Sequence, residues 1–316
     1  MTRDLGRALV DDETLRALSR NRATFHQVWE AAAEQGIAPY FGWRIEQTES
    51  FGWATATTRR AHEMRMQAAA VEAKQRVELE RVCGALADGR VTALLMDGAA
   101  LAYSHYPEPA LRPRSTMVLL VSNGDRGEAE RLLSAIGYEA DLKGGKRLNG
   151  RCEYRRRDRS VPDLIDLRWR MGDAPPSAEA LPFADAWRRR VPVPSVAHAM
   201  TFIVPDRLLV ACLQHASADA SRVPLLGLLD VHLLAVSLTL AQWQDFVDRA
   251  SNPQIRAACV RTLREVVELF GTSLVADVHE WLEQRLPPGG ATRAHAPAEY
   301  RQRAIGGVFG WMFGGR

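Results

Sequence analysis

The sequence predicts an α+β fold, with a small β-sheet core set between an N-terminal helical segment and a C-terminal helical domain. Three observations carry that prediction. Short apolar runs of strand length, Val91 to Met96, Met117 to Val121 and Leu164 to Arg170, fall together in the middle of the 316-residue chain. On either side of them apolar residues recur at three- and four-residue spacings, the period of a helix with one buried face. A Pro/Ala/Ser-rich connection, Gly172 to Pro182, separates the strand region from the second helical stretch. The implied organisation is a helical segment at 1–88, an α/β core at 89–172, a helical domain at 183–286 and a Gly/Pro-punctuated tail at 287–316.

Taken in order, Asp11 to Gly36 reads as helix, because Leu15, Leu18, Phe25, Val28 and Trp29 share a face and Asp11-Asp12-Glu13 favours a helix start. Ala38 to Ser50 is a short helix or packed segment whose Tyr40, Phe41 and Trp43 belong to a core. A long helix follows from Thr57 to Ala87 through Met64, Ala68, Val71, Leu79, Val82 and Leu86, and Asp88-Gly89 ends it. After the first strand, Gly98 permits a tight turn into a helical segment, Ala99 to Tyr106. That segment stops at Pro107 and Pro109, which lack the N–H a helix needs.

Following the second strand, Ser122-Asn123-Gly124-Asp125 caps a helix from Gly127 to Ile136. Gly150 to Arg156 is one strand of a polar hairpin. In Leu164 to Arg170, alternation sends Ile165, Leu167 and Trp169 to one face and Asp166, Arg168 and Arg170 to the other. Phe183 to Pro194 leads into an extended piece, Met200 to Val204. Helices are then expected from Pro205 through His215, and over Leu225 to Leu238, Ala241 to Ala250, Ile255 to Phe270 and Thr272 to Leu286. The apolar residues of the tail, Val308 to Phe313, form a docking or partner-binding end.

Composition narrows the class. With 47% hydrophobic and 25% charged residues the chain is a globular protein with a sizeable core, and a net charge of +3 does not by itself imply a nucleic-acid partner. Cys83, Cys152, Cys212 and Cys259 are scattered without a C-x-x-C pair, which argues against a zinc site and against a disulfide-linked partner. The first residues carry no apolar signal core, and no run reaches the roughly 18 apolar residues of a membrane helix. These features predict a cytoplasmic protein with no membrane partner. His26 and His62 read as surface or packing histidines. Charge is concentrated in one place: Lys143 to Arg170 holds ten basic residues against four acids. Arginine forks suit phosphate oxygens without a metal, so this segment is either a solvated hairpin or a phosphate-binding surface.

Gly98-Ala99-Ala100, the arginine-bearing loop with Arg112 and Arg114, the run Ser115 to Val121 and Gly137-Tyr138 together resemble the uncharacterised nucleotidyltransferase family of the polymerase-β-like superfamily. The resemblance runs from about Asp11 to Leu240. It implies a small mixed β-sheet nucleotidyltransferase core and transfer of a nucleoside monophosphate from an NTP to an acceptor such as RNA or protein. It also implies a pair of Mg2+ ions held by an Asp-x-Asp pair on one strand and a third carboxylate on its neighbour. The i, i+2 spacing matters because only those positions share a strand face.

In this chain the paired positions are Thr116 and Val118. Asp166 matches the third carboxylate and is the candidate catalytic and metal-binding residue; Arg168 stands where the family's D-L-H-W-R has histidine. Two divalent ions about 4 Å apart repel by roughly 16 kcal/mol at an effective dielectric of about 20, which one carboxylate does not offset. Asp97, beside Gly98, is the first substitute metal ligand to test. Asp125 reads as a helix cap, and Asp163 points away from Asp166 by alternation. The resemblance extends nucleotide binding to Gly98, Ala99, Arg114, Ser115, Thr116, Arg168 and Arg170. His215 and Asp230 match a histidine and an L-x-D of the family's helical region and are expected to meet between helices. Three functions follow: a nucleotide- or phosphate-binding pseudoenzyme, an active transferase with a rearranged metal site, or a non-catalytic protein-interaction module.

Overall fold

The computed structural model describes residues 2–20, 22–141, 150–156, 164–171, 180–217 and 225–283. The turn of the basic hairpin, Asp163, most of the expected linker and the tail at 287–316 lie outside the described residues. Helices α1 (Thr2–Ala8), α2 (Asp12–Arg20), α3 (Arg22–Glu34), α4 (Ala38–Gln47) and the long α5 (Thr55–Asp88) come first. A mixed sheet follows, from β1 (Ala93–Met96), α6 (Asp97–Ala102), β2 (Thr116–Val121), α7 (Arg126–Ala135), β3 (Tyr138–Ala140), β4 (Arg151–Arg156) and β5 (Leu164–Arg168). Then come α8 (Phe183–Arg188), the short pair β6 (Val191–Pro192) and β7 (Met200–Thr201), and α9 (Val204–Ser217). The chain continues through α10 (Leu225–Ser237), α11 (Leu240–Arg249), α12 (Pro253–Phe270) and α13 (Ala276–Glu283).

Strand order is β1-β2-β5-β4-β3. Among the described residues β2 and β5 run parallel, and every other neighbouring pair in this sheet is antiparallel. Alternation assigns the two faces. Leu95, Met117, Leu119, Val121, Ile165 and Leu167 pack with Leu79, Val82 and Leu86 of α5 and with Ala129 and Leu133 of α7. Leu94, Met96, Val118 and Leu120 pack on the other face with Phe202, Val210, Ala186 and Leu181. Trp169 sides with Ile165 and Leu167 as alternation requires, and the Arg126 guanidinium lies 3.7 Å over its ring.

Several expectations need correction. The stretch Asp11 to Gly36 is two helices, preceded by a further helix, α1, whose seven residues show too few turns for a periodic signal. Ala99 to Tyr106 is helical only to Ala102. Strand β5 stops two residues short of Arg170. The three-residue β3 and the six-residue α8 have no sequence signature of their own. Tyr138, which opens β3, is held from outside: its hydroxyl donates to the buried Glu78 of α5 at 2.7 Å. Val204 begins α9 rather than ending an extended piece.

The N-terminal and C-terminal helices share one core. Leu5, Leu9, Trp29 and Phe41 belong to the same buried cluster as Leu213, Leu229, Leu263 and Phe270. The Leu225 and Leu226 amides donate to the Gln35 side chain and backbone carbonyl at 2.9 and 3.3 Å, which ties the start of α10 to the end of α3. No helix among the described residues is long and apolar enough to cross a membrane, and all four cysteines are buried free thiols.

Candidate functional site

The parallel register of β2 and β5 sets Thr116 level with Leu164 and Val118 level with Asp166. Thr116, Val118, Asp166 and Arg168 therefore share the sheet face on which paired carboxylates would stand. That face is packed. Val118 is only 5% exposed and lies among Leu94, Met96, Leu120, Phe202 and Val210. Thr116, at the strand's first position, is half-buried.

Asp166 is 2% exposed. Arg168 donates to its Oδ2 from Nε at 2.9 Å and from Nη2 at 2.7 Å. Arg151, which pairs with Arg168 across β4 and β5, places Nη1 3.5 Å from the same oxygen. Asp166 Oδ1 is buried and accepts no hydrogen bond among the described residues. Glu153 lies level with Asp166 on β4, a second carboxylate on this face. In the sequence Arg151 and Glu153 stood out only as members of the basic segment Lys143 to Arg170, not as partners of Asp166. Alternation along β4 gives them a common face, but which face it is depends on the pairing of β4 with β5.

Asp97 opens α6 with a φ of 53°, a left-handed conformation that aspartate tolerates better than most residues. Gln214, on α9, donates to Asp97 Oδ1 at 2.6 Å. Burial pushes the Asp97 carboxyl above its ordinary range and the nearby Asp166 adds to this, while Arg168, Gln214 and Arg112 pull the other way. Asp97, Asp166, Arg168 and Arg112 thus form one electrostatic neighbourhood. Gly98 sits beneath Arg112, since a Cβ built on it would run into Arg112 Nη1. Here glycine is required by close approach of the guanidinium rather than by its own backbone angles.

Arg112 is oriented by Asp230 of α10. Its Nη2 donates to Asp230 Oδ2 at 2.6 Å and its Nε to Oδ1 at 3.2 Å, and the Tyr106 hydroxyl donates to Oδ1 at 2.7 Å. The expected contact of His215 with Asp230 is corrected by this arrangement. His215 Nε2 instead pairs with Glu265 Oε2 of α12 at 2.7 Å, because α9 turns that side chain toward α12. His26 and His62 are exposed beside Glu30 and Glu46.

The remaining expected ligand contacts scatter. Ala99 is buried in the α5 side of the core. Arg114 is buried against α5, its Nη2 2.6 Å from Glu72 Oε2 and 3.1 Å from the Tyr103 hydroxyl. Ser115 is half-buried, and Arg170 is exposed at the end of the sheet with its side chain over Gly150. Asp125 receives the Thr92 amide at 3.1 Å and the Thr92 hydroxyl, so it joins β1 to α7 rather than the site.

The profile of the uncharacterised nucleotidyltransferase family matches residues 21–271. The chain belongs to that family. No curated protein is a significant match. Among solved structures, that of the antibiotic-resistance factor ANT(2'')-Ia is similar over 61% of this chain and 98% of its own, at 14% identity and a TM-score of 0.44.

The donor set of this nucleotidyltransferase-family chain does not fit a pair of Mg2+ ions. Mg2+ asks for several hard, anionic oxygens in near-octahedral array. Val118 offers none, Thr116 offers a neutral hydroxyl, and both Arg168 bonds already converge on Asp166 Oδ2. No group of three or more His, Cys, Asp or Glu among the described residues is arranged to hold a metal ion.

Proposed function

We propose that this chain is a nucleotidyltransferase-fold pseudoenzyme that binds a nucleotide or another phosphate-bearing ligand without two-metal catalysis. The observation that carries the reading is the ion pair of Arg168 with Asp166. Where the family's reaction calls for a carboxylate facing a cation, this carboxylate already faces a guanidinium with two bonds to one oxygen. An arginine fork recognises phosphate oxygens directly, so positive charge for a phosphate is supplied by side chains in place of ions. Arg170, exposed at the sheet end, and the hydroxyls of Ser115 and Thr116 complete the ligand's contacts in this reading.

The test is a calorimetric titration of the full chain with ATP and with pyrophosphate, with and without Mg2+. Binding is expected to be indifferent to Mg2+ and to weaken about tenfold in Arg168→Gln, the loss of one charge-assisted contact. A second reading, an active transferase built on Asp166 and Asp97 and passing a nucleoside monophosphate to an RNA or protein acceptor, draws on the nearness of those two carboxyls. It predicts Mg2+-dependent turnover of NTP that Asp166→Asn abolishes, and that result would overturn the first reading. Absence of any nucleotide or pyrophosphate binding at about millimolar concentration, a free energy of only about −4 kcal/mol, would leave a protein-interaction module.

A further inference from the structure

We propose that a cavity on the sheet face opposite Asp166 binds a small organic anion: a free carboxylate carried on a compact apolar body. The cavity measures about 300 Å3 and lies between the end of α5, the outer strand β1 and the loop joining β6 to β7. That volume is at the lower end of the range that holds small ligands. Its floor is apolar and buried: Leu86 and Val91, with Leu95 and Leu119 facing each other across β1 and β2. Its rim carries two guanidiniums, Arg90 and Arg190, with His198 beside them, all three exposed. Among the described residues no aspartate or glutamate lines it.

The charge asymmetry is what selects the ligand. An apolar floor favours any hydrophobic body, whereas two guanidiniums at the mouth favour one with an anionic head. Nearby negative ends are already answered. The last carbonyls of α5 accept from the amides of Gly89, Arg90 and Val91 at 3.2, 2.9 and 2.9 Å, and Asp125, which touches the lining residue Thr92, is engaged by it. One rim arginine, Arg190, is held in place. Arg190 lies 3.9 Å over the Trp187 ring and donates from Nη1 to the Trp187 carbonyl at 2.8 Å. Arg90 and His198 leave the backbone at φ values of 55° and 63°.

The experiment uses the full chain with octanoate and 1-octanol as matched charged and uncharged probes, read by calorimetry. Octanoate is expected to bind saturably and about tenfold or more tightly than octanol, the worth of one charge-assisted contact. The double variant Arg90→Gln/Arg190→Gln is expected to remove that preference while leaving octanol binding unchanged; both positions are exposed, and a thermal melt checks the fold. Equal affinity for octanoate and octanol in the unmodified chain would overturn the proposal without recourse to any variant. So would an unchanged preference in the folded double variant, or the absence of saturable octanoate binding at several millimolar.

Discussion

Placing aspartate at Val118, one of the two positions matched by resemblance to paired carboxylates, is expected to destabilise the protein rather than restore a site. Val118 is 5% exposed among Leu94, Met96, Leu120, Phe202 and Val210. Withdrawing its side chain from that cluster costs about 2 kcal/mol. The new carboxyl must then either remain charged in an apolar setting or take up a proton. Taking a proton at pH 7 sets a ceiling on the charge penalty of about 4 kcal/mol, from three units at 1.36 kcal/mol each. The nearby Arg168 lowers that figure, so the expected total is about 4–6 kcal/mol, comparable to the whole stability of a marginal domain. Urea unfolding at pH 7 and pH 5 separates the two contributions, with Val118→Thr as the nearly isosteric neutral control. Because the folded-state pKa of the new aspartate is raised, its penalty should shrink by up to about 2.7 kcal/mol on going from pH 7 to pH 5. A loss below about 1 kcal/mol with no pH dependence would mean that the position is solvated, and the account of a packed face would be wrong.

Other perturbations follow from the same geometry. Asp230→Ala strips the half-buried Arg112 of its counter-charge and should cost about 3 kcal/mol, with Asp230→Asn costing clearly less, in urea midpoints. Gly98→Ala drives a methyl group into a guanidinium that Asp230 holds in place, so it should lower the thermal midpoint even though alanine is the better helix former by about 1 kcal/mol. His232, its ring against Phe270 and its Nδ1 2.8 Å from the Thr272 hydroxyl, has its pKa lowered by burial from 6.5 to about 4. The unfolded chain then binds the extra proton first, so this histidine's contribution is intact above about pH 6.5 and is lost as pH falls toward 4. That amounts to as much as about 3 kcal/mol, and His232→Gln should flatten the acid limb of stability against pH.

Much of the sheet was legible because strand alternation is a local property. The faces of β2 and β5 follow from residue parity, so the company of Asp166 with Arg168 and the separation of both from Ile165 and Leu167 are visible in seven consecutive residues. The shared face of Thr116 and Val118 is likewise visible from the run that carries them. Less of the site was legible. Arg114 looks like a ligand of phosphate in a linear reading, yet its guanidinium pairs with Glu72, some forty residues earlier. His215 and Asp230 have suitable types at suitable places, but each meets a different partner. Gln214 on Asp97 and Arg151 on Asp166 carried no signal, since neither has a neighbour in sequence that would single it out.

By itself the sequence determined the order of the longer helices and strands and the two faces of the central strands. Periodicity and residue chemistry act over a few residues and need no knowledge of the rest of the chain. Tertiary structure alone decided that both helical ends share one core, that Arg112 reaches Asp230, and that Val118 is sealed beneath Phe202 and Val210. Those contacts join residues from about 80 to more than 200 positions apart. They are set by how apolar faces stack, which no local pattern encodes.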